Sequence, residues 1–398
     1  MLSATDPGLS PLNLAIRLSL FYAGYFLVAG VLFPFLPLLL EARGMSPLQI
    51  SLLMALALWL RAAAGPLVTR HADRTGDSRK PLLACAVASL LVMLAFYWAA
   101  GFWVLLLVNI AFFFAYSSIG PLAETISLRT VSAESGYGRV RLWGSVSFVV
   151  AAIAGGFALD ARGGLPGSTI VTLLLIPLAI LLLFSFTLPK AQAKSDERAI
   201  APLKTLLSNK PFVLFLVATA MIHAAHGVYY GFSTIHWTSV GYSNSTVGLL
   251  WGEGVLAEIL LFAFGAPLVR RMGPIGLISA AAALGALRWA VLGLTTELWI
   301  VALVQLLHAA SFGAMHLGAM LFITRAVPNA YANSAQGLLG GLTYGAGLGG
   351  GLLLAGWLYG LYGADAYWSN AALSALALPV VLWLALSWRG KMMTARET

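Results

Sequence analysis

The stretch PKAQAKSDERAIAPLKTLLSNK, Pro189 to Lys210, is the longest polar connection in a chain of 398 residues, and it falls at the middle. On both sides the sequence returns to apolar runs of about 20 residues, each long enough as a helix to cross a hydrocarbon core of about 30 Å. Six runs precede it, roughly 13–40, 47–70, 81–99, 103–127, 138–160 and 168–188. Six follow, roughly 211–235, 244–268, 274–294, 298–324, 333–361 and 366–388. The reading is an all-α polytopic membrane protein with twelve transmembrane helices. Two six-helix halves, residues 1–188 and 211–398, are joined by a cytoplasmic linker over 189–210.

Composition points the same way. The chain is 60% hydrophobic and 9% charged, with a mean hydropathy of +0.89, against roughly 25% charge in soluble domains. Continuous rather than alternating apolar runs exclude a β-barrel. Cys85 has no partner cysteine in the chain, so no intrachain disulfide forms. The first run is too long for a secretory leader and lacks a small-x-small cleavage site, so it is expected to remain as the first helix.

A net charge of +9 would suit nucleic acid, but the positions of the charges argue otherwise. With both termini cytoplasmic, nineteen of the 23 Lys and Arg residues fall at cytoplasmic ends and loops. Arg43 and Arg162 lie on the other side, and Arg61 and Arg288 lie inside runs. This is the positive-inside pattern. The basic balance is topological, and no nucleic-acid partner is expected. A repeat supports the two halves: GPLVTRHADRTG, Gly65 to Gly76, follows run two, and APLVRRMG, Ala266 to Gly273, follows run eight. Secondary transporters are often built from such repeats, with the substrate site near the midplane.

Ionisable residues inside the runs are the functional candidates, because a charge at the bilayer centre costs at least about 2.5–3.5 kcal/mol and needs a partner or an aqueous cavity. The hairpin PLAETISLRTVSAESGYGRVRLWG, Pro121 to Gly144, sets Glu124 at the end of run four and Arg139 and Arg141 at the start of run five. Symmetry about the loop centre near Ala133 puts Glu124 and Arg141 at similar depth. They are either an ion pair tying two helices together or a carboxylate and guanidinium offered to a polar solute. Arg288 and His308 flank the outer turn at Thr295–Glu297, and at about 1.5 Å per residue both lie about 14–17 Å down. Run eight carries Glu253 and Glu258, whose spacing of five turns them about 140° apart. Glu258 is favoured as the cavity carboxylate, since membrane-embedded carboxylates are the groups proton-driven transporters load. Structural pairing with Arg61 or Arg288 is the plainer alternative.

Other features read as structural. His223 and His226 lie one turn apart before Tyr229 and Tyr230, with no cysteine or carboxylate nearby to complete a metal site. His316 reads as core, and His71 and His236 as weak candidates at run ends. Gly337, Gly341, Gly345 and Gly349 recur at every fourth position, so one helical face is expected to meet a neighbour closely. No HExxH, activated-serine motif or metal cluster is present, and no enzyme is expected.

At these residues the chain resembles the major facilitator superfamily, in particular its oligosaccharide/proton symporters and the related 3-phenylpropionate permease group. ADRTGDSRK, Ala72 to Lys80, is similar to the loop signature between helices two and three, which implies gating roles for Asp73, Arg74 and Gly76. PLAE followed by YGRVRLWG is similar to the lactose-permease segment whose glutamate and second arginine contact sugar, here Glu124 and Arg141. The spacing of Arg288 and His308 also fits that permease's proton-coupling pair. The permease's proton-site glutamate one turn later is Ser311 here, which breaks the match at that point. HAAHGVYYGFSTIHW, GYSNSTVGLLW, Ala257-Glu258, RWAVLG, LLHAASF and Arg61 resemble the phenylpropionate group more closely, over nearly the whole length.

The resemblance implies a secondary active transporter of the bacterial inner membrane, monomeric and without cofactor, driven by the proton gradient. The implied solute is an aromatic monocarboxylate like 3-phenylpropionate, taken up with a proton. The expected substrate residues are Glu124, Arg141, Tyr229 and Tyr230; the expected proton-coupling residues are Glu258, Glu253, Arg288, His308 and Arg61. Three arginines against three glutamates do not demand an anion, so a sugar or nucleoside symporter is the nearest rival and a drug/proton antiporter the next.

Overall fold

The structure, a computed structural model, describes residues 11–130, 137–162, 166–189, 203–388 and 390–393. Most of the expected linker, 190–202, and the tip of the Glu124–Arg141 hairpin, 131–136, lie outside the described residues.

Helix covers each of the expected runs. In the first part of the chain these are α1 (Pro11–Ala42), α2 (Pro47–Thr75), α3 (Arg79–Ala95), α4 (Phe102–Thr130), α5 (Tyr137–Arg162) and α6 (Pro166–Ser185). After the short α7 (Leu203–Leu207) come α8 (Lys210–Ala224), α9 (Gly227–Ser239), α10 (Asn244–Phe264) and α11 (Ala266–Leu294). The remaining elements are α12 (Leu298–Gln305), α13 (Met315–Ala326), α14 (Ala332–Leu338), α15 (Leu348–Tyr362) and α16 (Tyr367–Ser387). Among the described residues nine helical runs are long and apolar enough to cross a membrane, one of which, Asn329–Ser387, passes through two of the expected stretches. Pro47–Arg61 is a shorter apolar helix. Leu107, Phe157, Leu183, Leu294 and Leu386 each expose more than half of their surface, an apolar exterior that suits lipid rather than water.

Local chemistry sets the helix ends. Ser46 and Gln49 form a reciprocal capping box at the start of α2, with Pro47 at its first position. Gly76 ends α2 in the left-handed region at φ +69°, where a side chain would be strained. Asp77 then accepts the Arg79 backbone N–H at 2.9 Å to start α3. Gly76 therefore stops one helix and Asp77 opens the next, a local reason for the glycine in ADRTGDSRK.

The chain divides into two compact units. Unit 1 comprises Met1–Asp196 with Gly241–Gly252, and unit 2 comprises Glu197–Val240 with Glu253–Thr398. In unit 1, α1 packs on α5 and α6, and α4 on α2 and α3. The buried Asn109 on α4 donates to the Leu53 carbonyl of α2 at 2.9 Å. The Asp160 carboxylate accepts the backbone N–H groups of Asn244 and Ser245, each at 2.9 Å, and so caps α10. In unit 2, α11 packs on α16 and α13, and α8 on α16. Phe215 and Phe322 stack at 4.3 Å within a core that includes Phe212, Ile278, Met315 and Val381.

Three helical runs in unit 2 are interrupted. The chain leaves helix at Ala225–His226 between α8 and α9, and π-helical turns occupy Ala309–Ala314 and Leu339–Gly347. The expected glycine face holds in part: Gly345 and Gly349 are buried. Gly337 and Gly341 face open space, whereas a Cβ at Gly347 would come 3.0 Å from the Ala220 carbonyl oxygen and one at Gly351 2.2 Å from that of Ala224. The close approaches to the α8 backbone are made at Gly347 and Gly351.

Candidate functional site

In unit 2 the interrupted helices gather Arg288, Gln305, His308, Ser311, Tyr229 and Glu258. Arg288 on α11 is wholly buried. One terminal nitrogen, Nη2, donates to Gln305 Oε1 at 2.7 Å. The other, Nη1, reaches His308 Nδ1 and Ser311 Oγ, each at 3.1 Å. The guanidinium carbon lies 4.5 Å from the Tyr229 ring centre and 4.4 Å from that of Trp289, cation–π distances on both faces. Gln305 Nε2 donates to the Tyr229 hydroxyl at 3.1 Å. Glu258 Oε2 faces His308 Nε2 at 3.7 Å, with the two side chains 17% and 7% exposed.

This geometry fixes the imidazole tautomer. A guanidinium only donates, so His308 Nδ1 accepts from Arg288 and the ring proton is on Nε2, toward Glu258. The result is one polarised chain, Glu258 to His308 to Arg288, whose carboxylate and cation communicate through a ring. At 3.7 Å the Glu258 contact is electrostatic and longer than a hydrogen bond.

Sequence explains why the parts meet. α12 ends at Gln305, and the turn through His308 into the π-helix presents Gln305, His308 and Ser311 to the same guanidinium. Two glycines make room: a Cβ at Gly313 would lie 3.2 Å from Glu258 Cγ, and one at Gly254 3.3 Å from His308 Cβ. Arg288, His308 and Glu258 were singled out by the price of a charge in lipid; Gln305 and Trp289 were not. The available signal was Gln305-His308-Ser311 at steps of three inside an apolar run. Ser311, where the resemblance to the sugar permeases breaks, is a partner of Arg288.

The other candidates lie as follows. Tyr229 is 1% exposed and covers Arg288; Tyr230 stacks on His226 at 5.7 Å. Glu253, on α10, is half-buried. In unit 1, Arg141 Nη1 and Glu124 Oε1 meet at 3.3 Å with the side chains 45% and 46% exposed, so the hairpin pair is formed and accessible. Arg61 is exposed on α2, the helix whose neighbour α4 carries Tyr116, stacked on Tyr25 at 4.9 Å. Arg74 is exposed in the last turn of α2; the side chain of Asp73 lies outside the described residues. Among the described residues no three His, Cys, Asp or Glu side chains are grouped as metal ligands.

Residues 15–369 match the MFS_1 like family. The chain belongs to the major facilitator superfamily. A probable 3-phenylpropionic acid transporter of Escherichia coli (strain K12) is 32% identical to this facilitator over 379 residues, covering 92% of this chain and 95% of the relative. The maltose permease of Geobacillus stearothermophilus is 30% identical over 359 residues, covering 86% and 88%. The crystal structure of the nucleoside transporter NupG superposes with a TM-score of 0.80 at 17% identity, covering 95% of this chain and all of that one. The facilitator is thus a multi-pass membrane protein with the fold of a secondary transporter, and its relatives are named as transporters of chemically different solutes.

Proposed function

We propose that this facilitator is a proton-coupled symporter that takes up a small aromatic monocarboxylate by alternating access. The observation that carries the reading is the Glu258–His308–Arg288 chain. With Glu258 charged, the chain carries one negative and one positive charge. A proton on Glu258 leaves Arg288 as an uncompensated buried cation, and a monocarboxylate restores neutrality. Proton and anion therefore each favour the arrival of the other, and the neutral loaded state is the one that reorients at least cost in a bilayer. Glu253 and Arg61 are assigned to the same coupling function.

In this reading Arg141 and Glu124 orient the solute, with Tyr229 and Tyr230 as aromatic lining, and the segment Ala72–Lys80 controls cytoplasmic closure through Asp73, Arg74 and Gly76. The proposed setting is a bacterial-type inner membrane, with twelve spans, both termini cytoplasmic, a monomeric carrier and no cofactor. The phenylpropionic acid relative supports the solute class. The maltose permease and the NupG fold favour a second reading, symport of a neutral sugar or nucleoside.

The test is uptake by purified protein in liposomes with an imposed inward proton gradient, using 3-phenylpropionate, a disaccharide and a nucleoside, with Arg141→Ala as control. Gradient-driven accumulation of phenylpropionate alone supports the first reading. Accumulation of the disaccharide or nucleoside instead selects the second, and export against the gradient selects an antiporter.

A further inference from the structure

Unit 2 contains a second set of titratable groups that the coupling chain does not use. The His226 ring lies 6.3 Å from that of His308, and His223 lies 5.9 Å beyond His226. The Tyr344 ring meets His223 edge-on at 4.2 Å, and the Tyr344 hydroxyl is 2.9 Å from His316 Nδ1. His223 and His226 are both 0% exposed.

The hydrogen bonding of the two buried imidazoles is incomplete in a particular way. His226 Nδ1 donates to the Ile222 carbonyl at 2.9 Å, so its Nε2 is a bare acceptor. Among the described residues that Nε2 has no hydrogen-bond partner, and the His223 ring, set against the Thr219 carbonyl one turn back, likewise keeps a bare nitrogen. Buried polar atoms are almost always satisfied, and leaving them unsatisfied is costly. Elsewhere on α8 the buried positions Phe215, Leu216 and Ile222 are hydrocarbon and the buried Thr219 hydroxyl is bonded to Phe215 and Thr343. Imidazoles with ring centres 5.9 and 6.3 Å apart are within reach of one another through a single water, and imidazoles so joined are a medium for moving protons.

We infer that His226, His223, Tyr344 and His316 form a proton path through unit 2, leading from the Glu258–His308 pair toward the Arg325 end of α13. The inference rests on the proton-coupled reading above. His316 follows His308 by eight residues, across the π-helix, and both His316 and Tyr344 are partly exposed. The titratable or charged groups facing the path are Glu258, His308, Arg288 and Tyr230 at one end and Tyr344 and His316 at the other.

The transfer balances. The O–H bond of neutral Glu258 breaks and its proton, carried by water, adds to Nε2 of His226, leaving a carboxylate and an imidazolium. The imidazolium gives that proton to a bare nitrogen of His223 and returns to neutral. Tyr344 takes the proton from His223 as its own hydroxyl proton passes to Nδ1 of His316. Every group but the two ends is restored, and one proton has moved.

The experiment uses the full-length protein in liposomes with an internal pH indicator and 3-phenylpropionate as probe. Solute-driven proton entry is compared with solute counterflow at equal concentrations, which needs no net proton movement. Tyr344→Phe keeps the ring contacts and deletes only the hydroxyl, and His223→Phe keeps an aromatic ring and deletes both nitrogens. The expected result is proton entry slowed by about tenfold or more in each variant, with counterflow at the wild-type rate. Unchanged proton entry in both variants overturns the path while leaving the coupling reading intact. Loss of counterflow as well in Tyr344→Phe also overturns it, because the hydroxyl would then be structural. No solute-driven proton entry in the unmodified protein removes the coupling reading itself, and the path with it.

Discussion

Replacing Glu258 by glutamine removes the carboxylate that faces His308 while keeping the side chain's shape. The amide fits the space left by Gly313, whose added Cβ would lie 3.2 Å from Glu258 Cγ, so the fold is expected to survive. What changes is charge. The Glu258 to His308 contact is 3.7 Å and the His308 to Arg288 contact 3.1 Å. With the ring between them, the carboxylate and guanidinium lie on the order of 8 Å apart, and at an effective dielectric of about 20 they attract by about 2 kcal/mol. Deleting that attraction is worth roughly thirty-fold in any equilibrium that depends on it. Glutamine therefore mimics the proton-loaded carboxyl permanently. The expected outcome in proteoliposomes is loss of gradient-driven accumulation, retained counterflow, and a solute affinity that no longer changes with pH. Accumulation by Glu258→Gln at the wild-type level would refute the reasoning.

Arg141→Ala is expected to raise the solute concentration needed for half-maximal uptake at least about tenfold, the loss of one charge-assisted contact. Its melting temperature should stay within a few degrees of wild type, since so exposed an ion pair contributes about 0–1 kcal/mol. Gly351→Val should fail to give a stable protein, judged by a monodisperse gel-filtration peak in detergent, because a Cβ there would fall 2.2 Å from the Ala224 carbonyl oxygen. Gly341→Ala, facing open space, should behave as wild type in the same assay. Asp160→Ala removes the acceptor of two N–H groups at the start of α10 and should cost about 1 kcal/mol, read as a lowered melting temperature that Asp160→Asn partly restores.

Much of this was legible in the residues because lipid makes the rules strict. Backbone groups in hydrocarbon must bond within their own helix, so apolar run length marks the helices. The cost of buried charge marks Glu258, Arg288 and Glu124, and helical rise alone puts Arg288 level with His308. What the sequence hid came from departures from α-helical geometry. Of the glycine row, Gly345 and Gly349 are buried while Gly337 and Gly341 face open space, and the close approaches to α8 fall at Gly347 and Gly351. Gln305 and Trp289 escaped notice because each looks ordinary alone, and only the fold brings them to Arg288. The Asp160 cap joins residues 84 apart, beyond any local pattern.

The account stands on solute and proton moving together, and the direct measurement is the internal pH of liposomes holding the purified protein when 3-phenylpropionate is added outside with no gradient imposed. The account predicts internal acidification that begins with solute addition and is absent in Glu258→Gln. Phenylpropionate uptake with no change in internal pH would contradict it.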